Sequence, residues 1–414
     1  MSQGLSAYRP WWDQTRAQVG AERVFEDDDL LIATDFECGN GRAIRPLGGD
    51  RYAMDLEPDP GAHRFSGKSY YFCFGVRSKR GGSRQIRMRL RNCGFPEWYA
   101  WTRHVVTRRG DAWGQLPPEA IRGDPEQAAL DLDLVLPAAS EDAPEVFFSN
   151  FHWHPYTDMQ VYLRRLAARD DRVRLSSLGR SFQGREITCV ELGSQDPAAP
   201  HAVLAQTPQP SEMGPWSCRA VLEWLLSDDP RAGEVLTRHR VTLLPHANPD
   251  GTVLGYGVSD ARGRFPFFEG AEVAAGAPNP CPELLALWRH LEAARPWLFI
   301  EWHSNNWSKP ARPGHVLLRY VHELLGDATR RRIWDAWEEA MLRLPETTHQ
   351  SWTDGTGRGG GYEATMGFAA VTRLGVAACM VKHHDRFPHA QILRHAVACY
   401  RVAIDAYDEV TGGQ

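Results

Sequence analysis

The feature that most constrains this chain is a change of rhythm about a third of the way along it. From about Val24 to Leu136 it reads as short segments, LLIATDFECGNG, RYAMDLE, SYYFCFGV, RQIRMRLRNC and LDLDLVLP, separated by the turn clusters GNG, PLGG and RGGS. Apolar and polar residues alternate at hairpin spacing, which predicts an antiparallel β-sandwich. After Asp142 the period lengthens. PYTDMQVYLRRLAARD reads as an amphipathic helix, ITCVELG and HAVLAQT as strands, and MGPWSCRAVLEWLLSD as a helix. RVTLLPHANPDG, the helix CPELLALWRHLEAA and the strand PWLFIEWHSNN follow. Strands alternating with helices predict an α/β sheet with some parallel strands. The C-terminal AQILRHAVACYRVAIDAYDEV is expected to be a core-packed amphipathic helix.

At ~100–200 residues per domain, a chain of 414 residues should make two or three domains. The expected division is an N-terminal segment 1–23, with Trp11 and Trp12 as a docking element, a sandwich 24–141 and an α/β domain 142–414. A net charge of −5 offers no basic field, so nucleic acid is not an expected partner. There is no apolar run of ~18 residues and no basic, then apolar, leader pattern, so neither a membrane helix nor a signal peptide is expected. The expected location is cytoplasmic. The eight cysteines are scattered without C-x-x-C spacing and read as reduced core residues. Oligomeric state is not legible.

In open α/β sheets, ligand sites sit beyond the C-terminal ends of strands. Gln209, Glu212, His246, Asn248 and His303 each fall just past an apolar run. Basic residues are almost all Arg; the only lysines are Lys68, Lys79, Lys309 and Lys382.

Several segments, in order, resemble the zinc metallocarboxypeptidases, and most of all the cytosolic type with a β-sandwich before the catalytic domain. His154-Pro155-Tyr156-Thr157 is similar to the family's Pro-Tyr-Ser/Thr entry, and the run from Leu178 to Ile187 to its Leu-Gly-x-Ser-x-x-Gly-Arg-x-Ile approach. Asn248-Pro249-Asp250-Gly251 matches its Asn-Pro-Asp-Gly loop. Glu301-Trp302-His303-Ser304 resembles the Asp-x-His strand end, and Arg373-Leu374-Gly375 the lead into the last catalytic strand. The resemblance implies an α/β fold with a mixed central sheet flanked by helices, a zinc ion or another divalent metal, and a peptide-like substrate. The family's ion is held by His-x-x-Glu and a later His; it polarises the scissile carbonyl and activates a water molecule.

Three departures accompany the resemblance. At the first ligand position Gln209 replaces His while Glu212 is kept, so the implied shell is Gln209, Glu212 and His303, with His246 as a substitute imidazole. A neutral amide oxygen should hold zinc less tightly. The Asn-Arg carboxylate clamp is missing, Phe267-Phe268 standing there, unless Arg262 or Arg264, with Asn248, binds substrate instead. Lys382, or His383 after a one-residue slip, occupies the place of the catalytic Glu. A lysine about 5 Å from a cation is repelled by about 3 kcal/mol per unit charge at an effective dielectric constant of ~20. Lys382 is therefore either a neutral proton acceptor beside a metal or a charge that fills a metal-free hole and pairs with Glu212. Tyr362, after a Gly-rich run that could form a flap, is about where the family places a loop Tyr near substrate.

Three functions remain open at this point. The first is a metal-assisted amide hydrolase acting on a peptide, modified peptide or acyl-amino-acid-like metabolite. The second is an inactive relative that binds a peptide tail in the old cleft. The third is metal-free chemistry through Lys382.

Overall fold

The computed structural model describes residues 21–61, 67–94, 96, 104–110, 112–138, 145–305, 315–320, 322–351 and 362–412. Trp11, Trp12 and the glycine-rich run 355–361 lie outside the described residues. The expected fold class is present, with two sheets in the first part of the chain and one large mixed sheet flanked by helices in the rest.

The first sheet contains β1 (Val24–Glu26), β2 (Leu30–Ala33), β5 (Cys73–Ser78), β7 (Val106–Arg109), β8 (Ala112–Gln115) and β11 (Val146–Ser149) in the order β1-β2-β5-β11-β7-β8, antiparallel throughout. The second contains β3 (Arg42–Pro46), β4 (Arg51–Asp55), β6 (Arg84–Arg91), β9 (Ile121–Asp124) and β10 (Ala129–Leu136) in the order β3-β4-β6-β10-β9. Alternation sends Ile86, Met88 and Leu90 of β6 and Leu130, Leu132 and Leu134 of β10 into one buried cluster with Phe72, Phe74 and Phe148. The solvent faces of the same strands carry Arg87–Asp133 and Arg89–Asp131 pairs, each at 2.8 Å.

Two details differ from expectation. β4 and β6 pair in parallel, because β5 between them crosses to the other sheet and returns the chain in the same direction. The sandwich also continues past residue 141, since β11 is hydrogen-bonded between β5 and β7.

The third sheet has the order β12-β13-β15-β14-β16-β19-β17-β18. Its strands are β12 (Arg174–Arg180), β13 (Glu186–Gly193), β14 (His201–Gln206), β15 (Arg240–Leu244), β16 (Leu298–Asn305), β17 (His315–Arg319), β18 (Thr347–Ser351) and β19 (Ala377–His384). β15, β14, β16 and β19 run parallel side by side. Every residue of β14 and of β19 is buried, which is why these strands read as near-continuous apolar runs. Helices α1 (Tyr156–Ala167), α2 (Gly214–Leu225), α3 (Pro249–Leu254), α4 (Pro282–Ala294), α5 (Ala328–Arg343) and α6 (His389–Thr411) supply most of the remaining regular structure around this sheet. All eight cysteines are free and buried. Among the described residues no helix is long and apolar enough to cross a membrane.

Two buried carboxylates from the N-terminal part tie it to the loops of the large sheet. Glu37 accepts the Thr157 N–H at 3.1 Å, in the first turn of α1. Asp59 accepts three consecutive backbone N–H groups, from Gly257 at 3.1 Å, Val258 at 2.5 Å and Ser259 at 3.2 Å. Burial pushes the Asp59 carboxyl up to about 6, against the lowering effect of those three bonds. Asp59→Ala would leave three buried N–H groups without an acceptor. It is expected to destabilise the protein by about 3 kcal/mol, read as a lower urea midpoint, with new proteolytic cleavage near residue 258 as the local signature.

Candidate active site

The site is assembled where β14, β16 and β19 end. At the end of β14 the Gln206 amide acts as a splice: Nε2 donates to Gln209 O at 3.4 Å and Pro210 O at 3.3 Å, and Oε1 accepts from Ala247 N at 3.2 Å. Asn248 caps α3 by accepting from Gly251 N at 2.9 Å, while Nδ2 donates to Pro208 O at 3.0 Å and Ser259 O at 2.9 Å. Both amide hydrogens and the amide oxygen of Asn248 are therefore used inside the fold. Asn248 sets the loop in place.

Glu212 is fully buried and follows that loop, immediately before α2. Its Oε2 accepts from Ser304 N at 2.7 Å and lies 2.8 Å from His303 Nδ1. His303 Nδ1 also faces Ser304 O at 2.5 Å. Both neighbours of that nitrogen are acceptors, so Nδ1 carries a hydrogen in this arrangement. Glu212 Oε1 and Gln209 Oε1 are buried side-chain oxygens with no hydrogen-bond partner.

Strand register puts Lys382 and His383 on opposite faces of the sheet. His303 pairs with Lys382 and Ser304 with His383 across β16 and β19. Directly paired residues share a face and successive residues alternate, so Lys382 shares the face of His303, and His383 points to the other. His383 is withdrawn from the site: its ring is completely buried and Nδ1 lies 3.0 Å from Ser217 Oγ of α2. Lys382 Nζ donates to Tyr362 OH at 2.7 Å and lies 4.8 Å from that ring's centre. Phe267, from the loop where the carboxylate clamp was sought, packs edge-on against both His303, at 5.4 Å, and Tyr362, at 6.2 Å. Glu212 pairs with His303, so the expected Lys382–Glu212 pair does not form.

The remaining candidates have other partners. His246 packs against His154 and Tyr156 and lies 3.4 Å from Thr252 Oγ1, so it does not complete the Glu212–His303 pair. Arg262 is held by Pro280 O at 3.0 Å and by Asp260 at 3.6 Å. Arg264 binds Asn279 O at 2.7 Å and makes a close pair with Glu269. Both guanidinium charges are thus met within their own loop.

Sequence reading missed Asp385 and Ser304. Asp385 is completely buried, 3.3 Å from His152 Nδ1, and its carboxyl is pushed far up by burial and then by the charge of Glu212. Burial likewise holds His152 neutral. Their contact is a hydrogen bond between neutral groups, not an ion pair. The signal for Asp385 was present in the polar run Lys382-His383-His384-Asp385 at the end of an apolar strand.

Residues 159–262 match the family model described as zinc carboxypeptidase. In this stretch the chain is similar to the zinc carboxypeptidases. Cytosolic carboxypeptidase 2 of Macaca fascicularis is 26% identical over 56% of this chain and 30% of its own length. Human carboxypeptidase Z is 34% identical over 39% of this chain and 24% of its own. The chain thus spans less than a third of the curated relatives it matches. Among solved structures, a metallo-carboxypeptidase from Pseudomonas aeruginosa in complex with (2-guanidinoethylmercapto)succinic acid superposes with a TM-score of 0.73 at 18% identity, covering 92% of this chain and 99% of that one. A metallo-carboxypeptidase from Burkholderia cenocepacia gives 0.73 at 16% identity, with 92% and 99% covered. These two share the whole fold, sandwich included.

The zinc that the family implies can be tested against the residues present. Glu212, whose Oε1 is buried and unpartnered while its Oε2 lies 2.8 Å from His303, fits a cation ligand, and the unpartnered oxygen of Gln209, three residues earlier on the same loop, is a further candidate donor. Among the described residues no third His, Cys, Asp or Glu joins Glu212 and His303 in a metal-binding group. The donor set is one carboxylate, one imidazole and one amide, which suits a weakly held divalent ion better than a tight zinc centre.

Glu301, two residues before His303, is buried and accepts from Tyr320 OH at 2.6 Å and Gly367 N at 3.0 Å. Burial raises its carboxyl from 4.5 to about 7, the two hydrogen bonds opposing. A folded-state value above the unfolded one means stability that is present below about pH 4.5 and lost as pH rises through about 7. Glu301→Gln can keep both accepted bonds without the charge. Its denaturation midpoint is expected to lose this pH dependence and to exceed the wild-type value at pH 8 by up to about 3 kcal/mol.

Proposed function

We propose that this protein is a metal-assisted amide hydrolase of carboxypeptidase type, acting on a modified peptide or acyl-amino-acid-like substrate. The observation that carries this reading is the buried Glu212, with one unpartnered oxygen, paired with His303, with a second unpartnered oxygen on Gln209 three residues before it. Those three side chains would hold the ion, which when bound polarises a carbonyl and makes hydroxide available near neutral pH. Lys382 directs its hydrogen at Tyr362 OH, which leaves the phenolic hydrogen free to be offered to a developing oxyanion. Phe267 packs edge-on against the His303 and Tyr362 rings. Because Arg262 and Arg264 are occupied within their loop, neither is available to a free terminal carboxylate, which favours a substrate whose C-terminus is modified or absent.

A second reading, a binding protein that uses the old cleft, is supported by the closed Glu212–His303 pair and by Lys382 in place of a carboxylate base. Elemental analysis of protein purified without a chelating tag, before and after zinc addition and dialysis, separates the two. The hydrolase reading expects about one added equivalent that Glu212→Ala and His303→Ala each remove, together with turnover of N-acyl amino acid amides lowered about 100-fold or more in either variant. Metal retained at this level by both variants overturns the proposed shell; metal bound without turnover of any amide favours the binding reading.

A further inference from the structure

The alternation that aims Lys382 at the site aims His383 away from it, towards α6. On that helix His395 and Cys399 stand one turn apart and so share a face. His383, His395 and Cys399 each offer a ligand atom within 4.8 Å of the other two, and all three are buried. The Cys399 sulfur already lies 3.3 Å from His395 Nδ1. That is about the separation of two donors on one tetrahedral ion at ~2.0–2.3 Å from each.

The other ring nitrogens are oriented as metal-bound histidines require. His395 Nε2 lies 2.8 Å from Thr347 Oγ1, and His383 Nδ1 lies 3.0 Å from Ser217 Oγ. If each of those nitrogens donates to its hydroxyl, His395 Nδ1 and His383 Nε2 keep their lone pairs. His383 Nε2 has no hydrogen-bond partner despite complete burial. His315 packs on His395 with ring centres 3.8 Å apart but is not a ligand, because its Nδ1 accepts from His384 N at 3.2 Å and the neutral ring's other nitrogen is then protonated.

We propose that His383, His395 and Cys399 form a second metal site, behind the sheet, for a thiophilic ion such as zinc or monovalent copper. Two imidazoles and a thiolate do not suit magnesium or calcium. Burial lowers both rings, His395 to about 4 and His383 well below the usual imidazole range, so both are neutral and neither has an imidazolium proton to lose. Burial holds Cys399 as the thiol; on binding, its sulfur–hydrogen bond is replaced by a sulfur–metal bond and one proton leaves to solvent. A monovalent ion with one thiolate is neutral overall, whereas zinc leaves one positive charge in an apolar setting, so charge balance favours copper. The site uses none of the residues assigned to the hydrolase and does not depend on that reading.

The test uses the reduced full-length chain under anaerobic conditions. Cobalt(II), as a zinc surrogate, should produce a near-ultraviolet thiolate-to-cobalt charge-transfer band, and copper(I) should transfer from a chromogenic chelator at about one equivalent. One or both signals should persist in Glu212→Ala and in Cys281→Ser, the latter a control for the separate Asp260, Cys281 and Glu283 group, and vanish in Cys399→Ser. Metal should also protect Cys399 of the wild-type chain from alkylation mapped by mass spectrometry, a readout that needs no variant to fold. Neither a thiolate band nor copper uptake by the wild type, or signals that survive Cys399→Ser, would overturn the proposal. Metal that gives no thiolate band and disappears in Glu212→Ala belongs to the first site only.

Discussion

The parallel pairing of β14, β16 and β19 is the constraint on which the rest depends. Three strands buried on both faces can lie side by side only if their polar residues are postponed to the strand ends, where backbone pairing stops and side chains can leave the sheet. Gln206, His303 and Lys382 all lie at those ends. The register between β16 and β19 then sorts consecutive residues into two environments. His303 and Lys382 face the cleft with Tyr362 and Phe267, whereas Ser304 and His383 face α2 and α6. A shift of one residue would exchange every member of the two sets.

Positioning the cleft requires buried charge elsewhere. Glu37, Asp59 and Glu301 are carboxyls whose ionised forms are disfavoured by burial, at about 7, 6 and 7, yet each accepts backbone N–H groups that would otherwise be orphaned. Their contribution is therefore to geometry more than to stability at neutral pH. Asp59 fixes the 257–259 turn; Asn248 then joins that turn to the loop leading to Gln209 and Glu212. A contact between the N-terminal part of the chain and one turn is thus transmitted, through one asparagine, to the residues at the end of β14. This gives the sandwich a mechanical part in the site although it supplies none of the candidate ligands.

Much of this was legible in the sequence because it is periodic. The switch from alternating segments to strand–helix repeats announced both layers, and the order of short motifs from Pro155 to Gly375 announced the family. What stayed hidden was set by contacts between distant residues. β4 and β6 read as ordinary antiparallel candidates, and only the passage of β5 to the other sheet makes them parallel. Asn248 and the two arginines have the composition of substrate-binding groups, but their hydrogen bonds close inside the loop. His246 is a lone histidine at a strand end, as His303 is, and only its neighbours His154, Tyr156 and Thr252 separate the two. Asp385 falls in a polar run that looks like the start of a loop, and burial beneath Ser304 is what changes its chemistry.

If Lys382 stands where a carboxylate would otherwise be, as the family resemblance implies, it changes the balance of charge beside His303. With a Glu at that position, Glu212 would be the second of two carboxylates facing one imidazole, a set that needs a cation to be stable in a buried site. With Lys382 there, the pocket already contains one carboxylate and one ammonium, and Glu212 has a hydrogen-bond donor in His303. In this arrangement His303 Nδ1 is engaged by Glu212 and by Ser304 O, so an ion bound by Glu212 and His303 either uses the other ring nitrogen or reorganises that pair. The unpartnered Glu212 oxygen is what a cation has to gain there.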